Sequence, residues 1–136
     1  MKSPTVEDWG KLQCMMKYLN GTKDYYITLK ADGSNIIKWY IDAAFAVHPN
    51  FKSHTGAVMM MGEGAVQSTS KKQKVNTKSS TESELVSSDD VIPQVLWTKL
   101  FLEAQGYEVK DNIIYRDNQS TMRLEANGRV SAGKRS

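Results

Sequence analysis

Apolar and polar positions recur with two periods along this chain, and the changes of period mark out its elements. From about residue 6 to 19 the spacing is helical, with Trp9, Leu12, Met16 and Leu19 on one stripe and Met15 and Tyr18 broadening it. Asn20-Gly21 stops that helix. Residues 25–30 and 36–43 then read as strands joined through Ala31-Asp32-Gly33-Ser34-Asn35, a turn signal that predicts a hairpin. In the second run Ile37, Trp39 and Ile41 share one face while Lys38, Tyr40 and Asp42 share the other. Asp42 is therefore expected at a strand end, facing away from the tryptophan.

After a loop at His48-Pro49-Asn50, residues 56–61 form a third strand, and Gly62-Glu63-Gly64 turns the chain into another at 65–69. Residues 74–78 continue that strand or add one. Adjacent strands joined by tight turns predict an antiparallel meander. The longest helix is expected from Thr81 to about Ala104, with Leu85, Ile92, Leu96 and Leu100 on its apolar stripe, a kink at Pro93 and a stop at Gln105-Gly106. Residues 112–116 read as a strand in which Ile113, Tyr115 and Asp117 share a parity, and Asp117 or Asn118 then caps a short helix through Ala126. A meander, a crossover helix and a further strand require a mixed sheet with the helix on one face, an α/β layered domain.

The length of 136 residues suits one domain with a core that needs no disulfide or structural metal. No apolar run is long enough to span a membrane and no signal-peptide pattern follows the N-terminal Met-Lys, so an intracellular, non-secreted protein is expected. The single cysteine, Cys14, excludes an internal disulfide and a cysteine-cluster metal site within one chain. The net charge of +3 identifies no partner, but Lys71, Lys72, Lys74 and Lys78 fall within eight residues, a cluster that reads either as a solvated face or as a phosphate contact.

Three carboxylates could share a metal. Asp42 and Asp117 each end a strand, and Glu84 lies in the first turn of the crossover helix between them. If the two strands are neighbours, both aspartates emerge at one edge of the sheet and the helix has only to present Glu84 over it. Hard divalent ions take such oxygen ligands, and a pair of them can activate water and stabilise a leaving oxygen at a phosphodiester. Each acid also has a structural reading: Asp42 as a surface residue, Asp117 as a cap, and Glu84 as the partner of Thr81 in a capping box. His48 and His54 have no cysteine or HExxH motif to complete a zinc site, and read as loop residues or substrate neighbours. No phosphate-binding GxxxxGK[ST] loop or GxSxG elbow occurs.

Several blocks, in order, resemble the ribonuclease H-like domain at the end of copia-type retrotransposon polyproteins. They are Met16-Lys-Tyr-Leu-Asn-Gly-Thr22, Tyr40-Ile-Asp42-Ala-Ala-Phe-Ala46, Ser53-His-Thr-Gly56, Ser70-Lys-Lys-Gln-Lys74, Lys78-Ser-Ser-Thr-Glu-Ser-Glu84-Leu, Tyr115-Arg-Asp117-Asn-Gln-Ser120 and Asn127-Gly-Arg-Val-Ser-Ala-Gly-Lys-Arg135. The resemblance implies a ribonuclease H-like mixed sheet, with residues 1–24 as a leading helix and linker and 25–136 as the domain. It implies hydrolysis of the RNA strand of RNA–DNA hybrids within a larger polyprotein, with two Mg²⁺ or Mn²⁺ ions held by Asp42, Glu84 and Asp117. Glu82 is the runner-up to Glu84. Lys71, Lys72 and Lys74 would meet phosphates, and Ser79, Ser80, Asn118 and Gln119 would donate to phosphate or 2′-hydroxyl groups. Where the family usually has a second acid and a tryptophan, Ala44 and Phe45 stand here, and no match to its final strand and last metal-site acid is expected within the chain. The alternative from another class is a noncatalytic nucleic-acid-binding or connection module.

Overall fold

The sheet is organised by the strand that carries the predicted tryptophan face. In the computed structural model, which describes residues 3–117, that strand is β1 (Ile36–Ala44), preceded by helix α1 (Val6–Gly21) and followed by β2 (His54–Met61), β3 (Ala65–Lys72), α2 (Ser80–Ala104) and β4 (Asp111–Tyr115). The strand order is β3-β2-β1-β4. The first three strands form the expected antiparallel meander, and β4 lies parallel to β1 on its other side. Helix α2 covers one face of the sheet by packing on β1 and β2. The outcome is an α/β fold whose mixed sheet agrees with the ribonuclease H-like arrangement implied by the sequence.

Burial follows the two-residue period of the strands. Ile37, Trp39 and Ile41 of β1 and Ala57 and Met59 of β2 point under α2, where they meet Val91 and Val95. Trp39 is 1% exposed and keeps its polar edge satisfied, its Nε1–H donating to Asn112 Oδ1 at 3.1 Å. The Asn112 amide in turn donates to the Val95 carbonyl at 3.0 Å, so one side chain ties β4 to both β1 and α2.

The predicted hairpin between 25–30 and 36–43 does not form, because β4 occupies the edge of β1 that the earlier run would have needed. Residues 25–29 form no strand, and Lys30 instead makes a single antiparallel bridge to Glu63 in the β2–β3 turn. Glycine makes that approach possible. A Cβ at Gly62 would lie 2.4 Å from the Lys30 carbonyl oxygen, and one at Gly64 2.4 Å from that of Thr28, and both residues have positive φ. Strand β3 runs three residues further than expected, to Lys72, whereas residues 74–78 are not a strand.

Helix α2 buries a different face from the one its apolar residues suggested. Ser83, Glu84, Ser87, Ser88, Val91, Val95 and Thr98 are buried, whereas Ile92, Leu96 and Leu100 of the predicted stripe are exposed and Leu85 is only partly covered. Small polar residues can face the sheet because the helix satisfies them. Ser87 and Ser88 donate to the Glu84 carbonyl at 2.7 and 2.9 Å, Ser83 to that of Ser80, and Thr98 to that of Gln94. The helix continues through Pro93. Helix α1 begins with a capping box between Thr5 and Asp8, and none of its residues is buried; its predicted stripe and Cys14 face outward. The short helix expected through Ala126 lies outside the described residues.

The Trp39–Asn112–Val95 connection gives a direct test of this architecture. Asn112→Ala leaves a buried indole N–H and a helix carbonyl without their partner, and should lower unfolding stability by about 2 kcal/mol. Urea denaturation showing a loss of less than about 0.5 kcal/mol, the range of ordinary surface substitutions, would contradict the role given to Asn112.

Candidate metal centre

Parallel pairing fixes where the two aspartates go. Tyr40 and Tyr115 stand in register across β1 and β4, and their rings stack with centroids 5.0 Å apart on the face away from α2. Asp42 and Asp117 each lie two residues further on, so they share that face and the same end of the sheet. Both carboxylates are exposed, and the Ala43 N–H donates to Asp42 Oδ1 at 2.7 Å.

Glu84 arrives from the helix, and its route differs from the predicted capping box. The cap is Ser79, not Thr81: its hydroxyl accepts from the Glu82 N–H at 3.1 Å, while Glu82 Oε2 reaches back to accept from the Lys78 N–H at 2.6 Å. Glu84 is two residues further along, about 200° around a helix of 3.6 residues per turn, and so turns toward the sheet. It is 5% exposed. Its Oε1 accepts from the Ala43 N–H at 3.3 Å, and its Oε2 is buried without a hydrogen-bond partner.

Asp42, Glu84 and Asp117 each bring one oxygen to a common point, all within 4.8 Å of one another. Three like charges there need a counterweight. Burial holds the Glu84 carboxyl above its ordinary pKa; the Ala43 N–H opposes that rise, the Asp42 and Asp117 charges add to it, and Arg116 lowers it. The donors fit a hard divalent cation, which would offset the repulsion among the acids. Among the described residues this is the only group of three or more acids, histidines or cysteines drawn close enough to hold a metal.

The other predicted residues divide by face. Lys71 projects toward α2 and pairs with Asp90, its Nζ 3.3 Å from Oδ1. Lys72 shares the open face with Ser70 and Ser68, following the register that sets Ser70 opposite Gly56 and Gly56 opposite Asp42. Lys74 is exposed, and its carbonyl accepts from Lys52. Ser79 is occupied as the helix cap, and Ser80 is exposed beside it. Asn118 and Gln119 lie outside the described residues. His48 and His54 form a pair of their own, Nε2 to Nδ1 at 3.0 Å, with the Ser70 hydroxyl 2.8 Å from His54 Nε2. Burial first, and then the charges of Lys72 and His54, hold the His48 pKa below its ordinary value. Beside the acids, the sheet face forms a cavity of about 540 Å³ whose lining includes Tyr40, Asp42, Gly56, Ser68, Tyr115 and Asp117.

Sequence reasoning missed the polar layer behind the centre. Gln73, 1% exposed, donates through Nε2 to the Ser83 carbonyl at 2.9 Å and to Thr55 Oγ1 at 3.2 Å; Thr55 donates on to Asp90, and Ser53 and Thr77 join their hydroxyls at 2.8 Å. Nothing local marks Gln73 within the Ser70-Lys-Lys-Gln-Lys74 block, because the partners that bury it are distant in sequence.

The chain is 32% identical over 134 residues to the retrovirus-related Pol polyprotein from transposon TNT 1-94 of Nicotiana tabacum, covering 97% of this chain and 10% of that protein. It is 32% identical over 129 residues to the Pol polyprotein from transposon RE2 of Arabidopsis thaliana, and 31% identical over 129 residues to that from transposon RE1 of the same plant. The chain is homologous to a segment of retrotransposon Pol polyproteins. This Pol-related segment spans about a tenth of the length of the relatives it matches. No protein-family profile matches it, and no solved structure matches it with significance. No helix among the described residues is long and apolar enough to cross a membrane. Together these observations define a retrotransposon-related module with a candidate three-carboxylate metal site.

The raised pKa of Glu84 sets the sign of a stability prediction. A carboxyl whose folded pKa is raised gives stability in its protonated form, complete below the ordinary value near 4.5 and lost as pH rises through the folded value. At neutral pH the charged carboxylate therefore destabilises the metal-free fold. Glu84→Gln should raise the metal-free melting temperature at pH 7 by about 4 °C, and the gain should vanish near pH 4. Equal or lower melting temperatures for the variant at pH 7 would show that the buried carboxylate is not destabilising.

Proposed function

We propose that this segment binds nucleic acid at a divalent-metal centre formed by Asp42, Glu84 and Asp117, and that its reaction is hydrolysis of the RNA strand of an RNA–DNA hybrid. The observation that carries the reading is the convergence of one oxygen each from buried Glu84 and from two aspartates on adjacent parallel strands, all within 4.8 Å of one another. A carboxylate held out of water beside two others, with one of its own oxygens lacking a hydrogen bond, is costly unless a cation offsets its charge. Homology to Pol polyproteins supports the retroelement setting, with the remainder of the polyprotein as partner.

The three acids would hold Mg²⁺ or Mn²⁺, two ions with substrate present, and such ions supply a nucleophilic water at neutral pH and charge stabilisation at phosphate. The chain's own contributions are orientation and charge. The Ala43 N–H fixes Glu84 Oε1, and the Glu82–Lys78 contact keeps the helix cap from drawing Glu84 away. On the open face Lys72 would neutralise a backbone phosphate, and Ser68 and Ser70 would donate to phosphate or 2′-hydroxyl oxygens. Lys71 is committed to Asp90 and contributes less.

A second reading, a binding module without hydrolysis, is favoured by the number of ligands: among the described residues no fourth acid joins the cluster. Manganese titration followed by hybrid-cleavage assays separates the readings. Wild type should bind Mn²⁺ and cut the RNA strand only with metal; Asp42→Asn and Asp117→Asn should each weaken Mn²⁺ binding about tenfold or more and reduce cleavage about a hundredfold or more, with hybrid binding retained. Hybrid binding without cleavage in either metal supports the module reading, and cleavage unchanged in Asp42→Asn removes the acid from the mechanism. Lys72→Ala should weaken hybrid binding and lower the slope of log affinity against log salt by about 1, and an unchanged slope would remove Lys72 from the phosphate contact.

A further inference from the structure

The metal-centre reading leaves unexplained why a glutamine is buried directly after β3. Gln73 is held by its own backbone, whose N–H donates to the Ser53 carbonyl at 2.9 Å. Its side chain carries two N–H donors, and both are used: one reaches the Ser83 carbonyl at 2.9 Å and the other Thr55 Oγ1 at 3.2 Å. Ser83 is fully buried and immediately precedes Glu84. Thr55 stands in register with Ala43, the residue whose N–H meets Glu84 Oε1. The contacts close a ring from Gln73 through Thr55 and Ala43 to Glu84, and back through Ser83 to Gln73.

We propose that Gln73 is a positioning residue for Glu84, holding the first turn of α2 against the β1–β2 strand ends so that the carboxylate meets Asp42 and Asp117. The inference rests on the metal-centre reading for its consequence, and on hydrogen bonds within the chain for its mechanism. A second hydrogen bond at a helix carbonyl uses its spare lone pair and fixes the backbone next to the ligand. Methionine would have the length but no donor, and glutamate would lack the donor at neutral pH and add a fourth negative charge near the centre. Removing a group that orients a ligand typically weakens metal affinity by tenfold to a hundredfold.

The test compares the 136-residue chain with Gln73→Met, Gln73→Asn and, as a control for general loss of stability, Val95→Ala in the core. Mn²⁺ affinity is measured by electron paramagnetic resonance, and the Ala43 amide is followed by NMR without metal. Both Gln73 variants should weaken Mn²⁺ binding about tenfold and move the Ala43 amide resonance, while Val95→Ala leaves both near wild type. Gln73→Asn keeps the amide one methylene shorter and serves if Gln73→Met does not fold. Gln73 variants that change Mn²⁺ affinity and the Ala43 resonance no more than Val95→Ala would overturn the proposal. Absence of Mn²⁺ binding by wild type would remove the metal-centre reading instead, and the Ala43 resonance would then decide alone: moved, Gln73 positions the carboxylate; unmoved, it does not.

Discussion

The parallel pairing of β1 with β4 is the constraint on which the rest of the site depends. Parallel strands in register keep equivalent positions at the same height and on the same face, so two aspartates at the same offset from a facing tyrosine pair must meet. An antiparallel β4 would send Asp117 toward the opposite end of the sheet from Asp42. Parallel order in turn requires a crossover connection, and α2 provides it. The same helix delivers Glu84. Topology and site are thus one arrangement: the connection that permits the pairing also carries the third ligand.

Two glutamates at the start of α2 separate two tasks that one could not perform together. A carboxylate engaged with backbone N–H groups at the helix start is turned away from the sheet, whereas one turned toward the sheet cannot satisfy the end of the helix. Glu82 takes the first task and Glu84 the second, with Ser79 moving the cap two residues upstream of Thr81. The spacing of two makes the division possible, because it places the two side chains on nearly opposite sides of the helix.

Much of this was legible in the sequence. Strand alternation gave the buried face of β1, the turn at Gly62-Glu-Gly64 gave the meander, and the order of the three acids gave the cluster. The failures have physical causes. Residues 25–30 are as strand-like as many true strands, but a sheet edge accepts one neighbour, and the long-range partner β4 has it. Apolarity alone points to the stripe of Leu85, Ile92, Leu96 and Leu100, although a helix can bury serines that bond its own carbonyls. The box of Thr81 with Glu84 matched a local pattern that Ser79 and Glu82 matched as well, and only the position of the sheet distinguishes them. Gln73 could not be singled out, since its partners lie 10 and 18 residues away.

The small polar face of α2 is better understood as a condition for the site than as a weak core. Large apolar residues at 83, 87 and 88 would hold the helix away from the strand ends, and Glu84 could not then reach the Ala43 N–H across the gap. Hydroxyls that return to the helix backbone remove their own desolvation penalty while keeping the surface thin. Further along, where no ligand must be delivered, Val91 and Val95 restore ordinary packing against Trp39 and Ile37. The helix therefore changes character along its length, polar and close beside the acids and apolar over the core, so the end that carries Glu84 lies where the hydrophobic contribution to stability is smallest. That end relies on hydrogen bonds for its position, and the Gln73–Ser83 contact is among those that tie it to the rest of the fold.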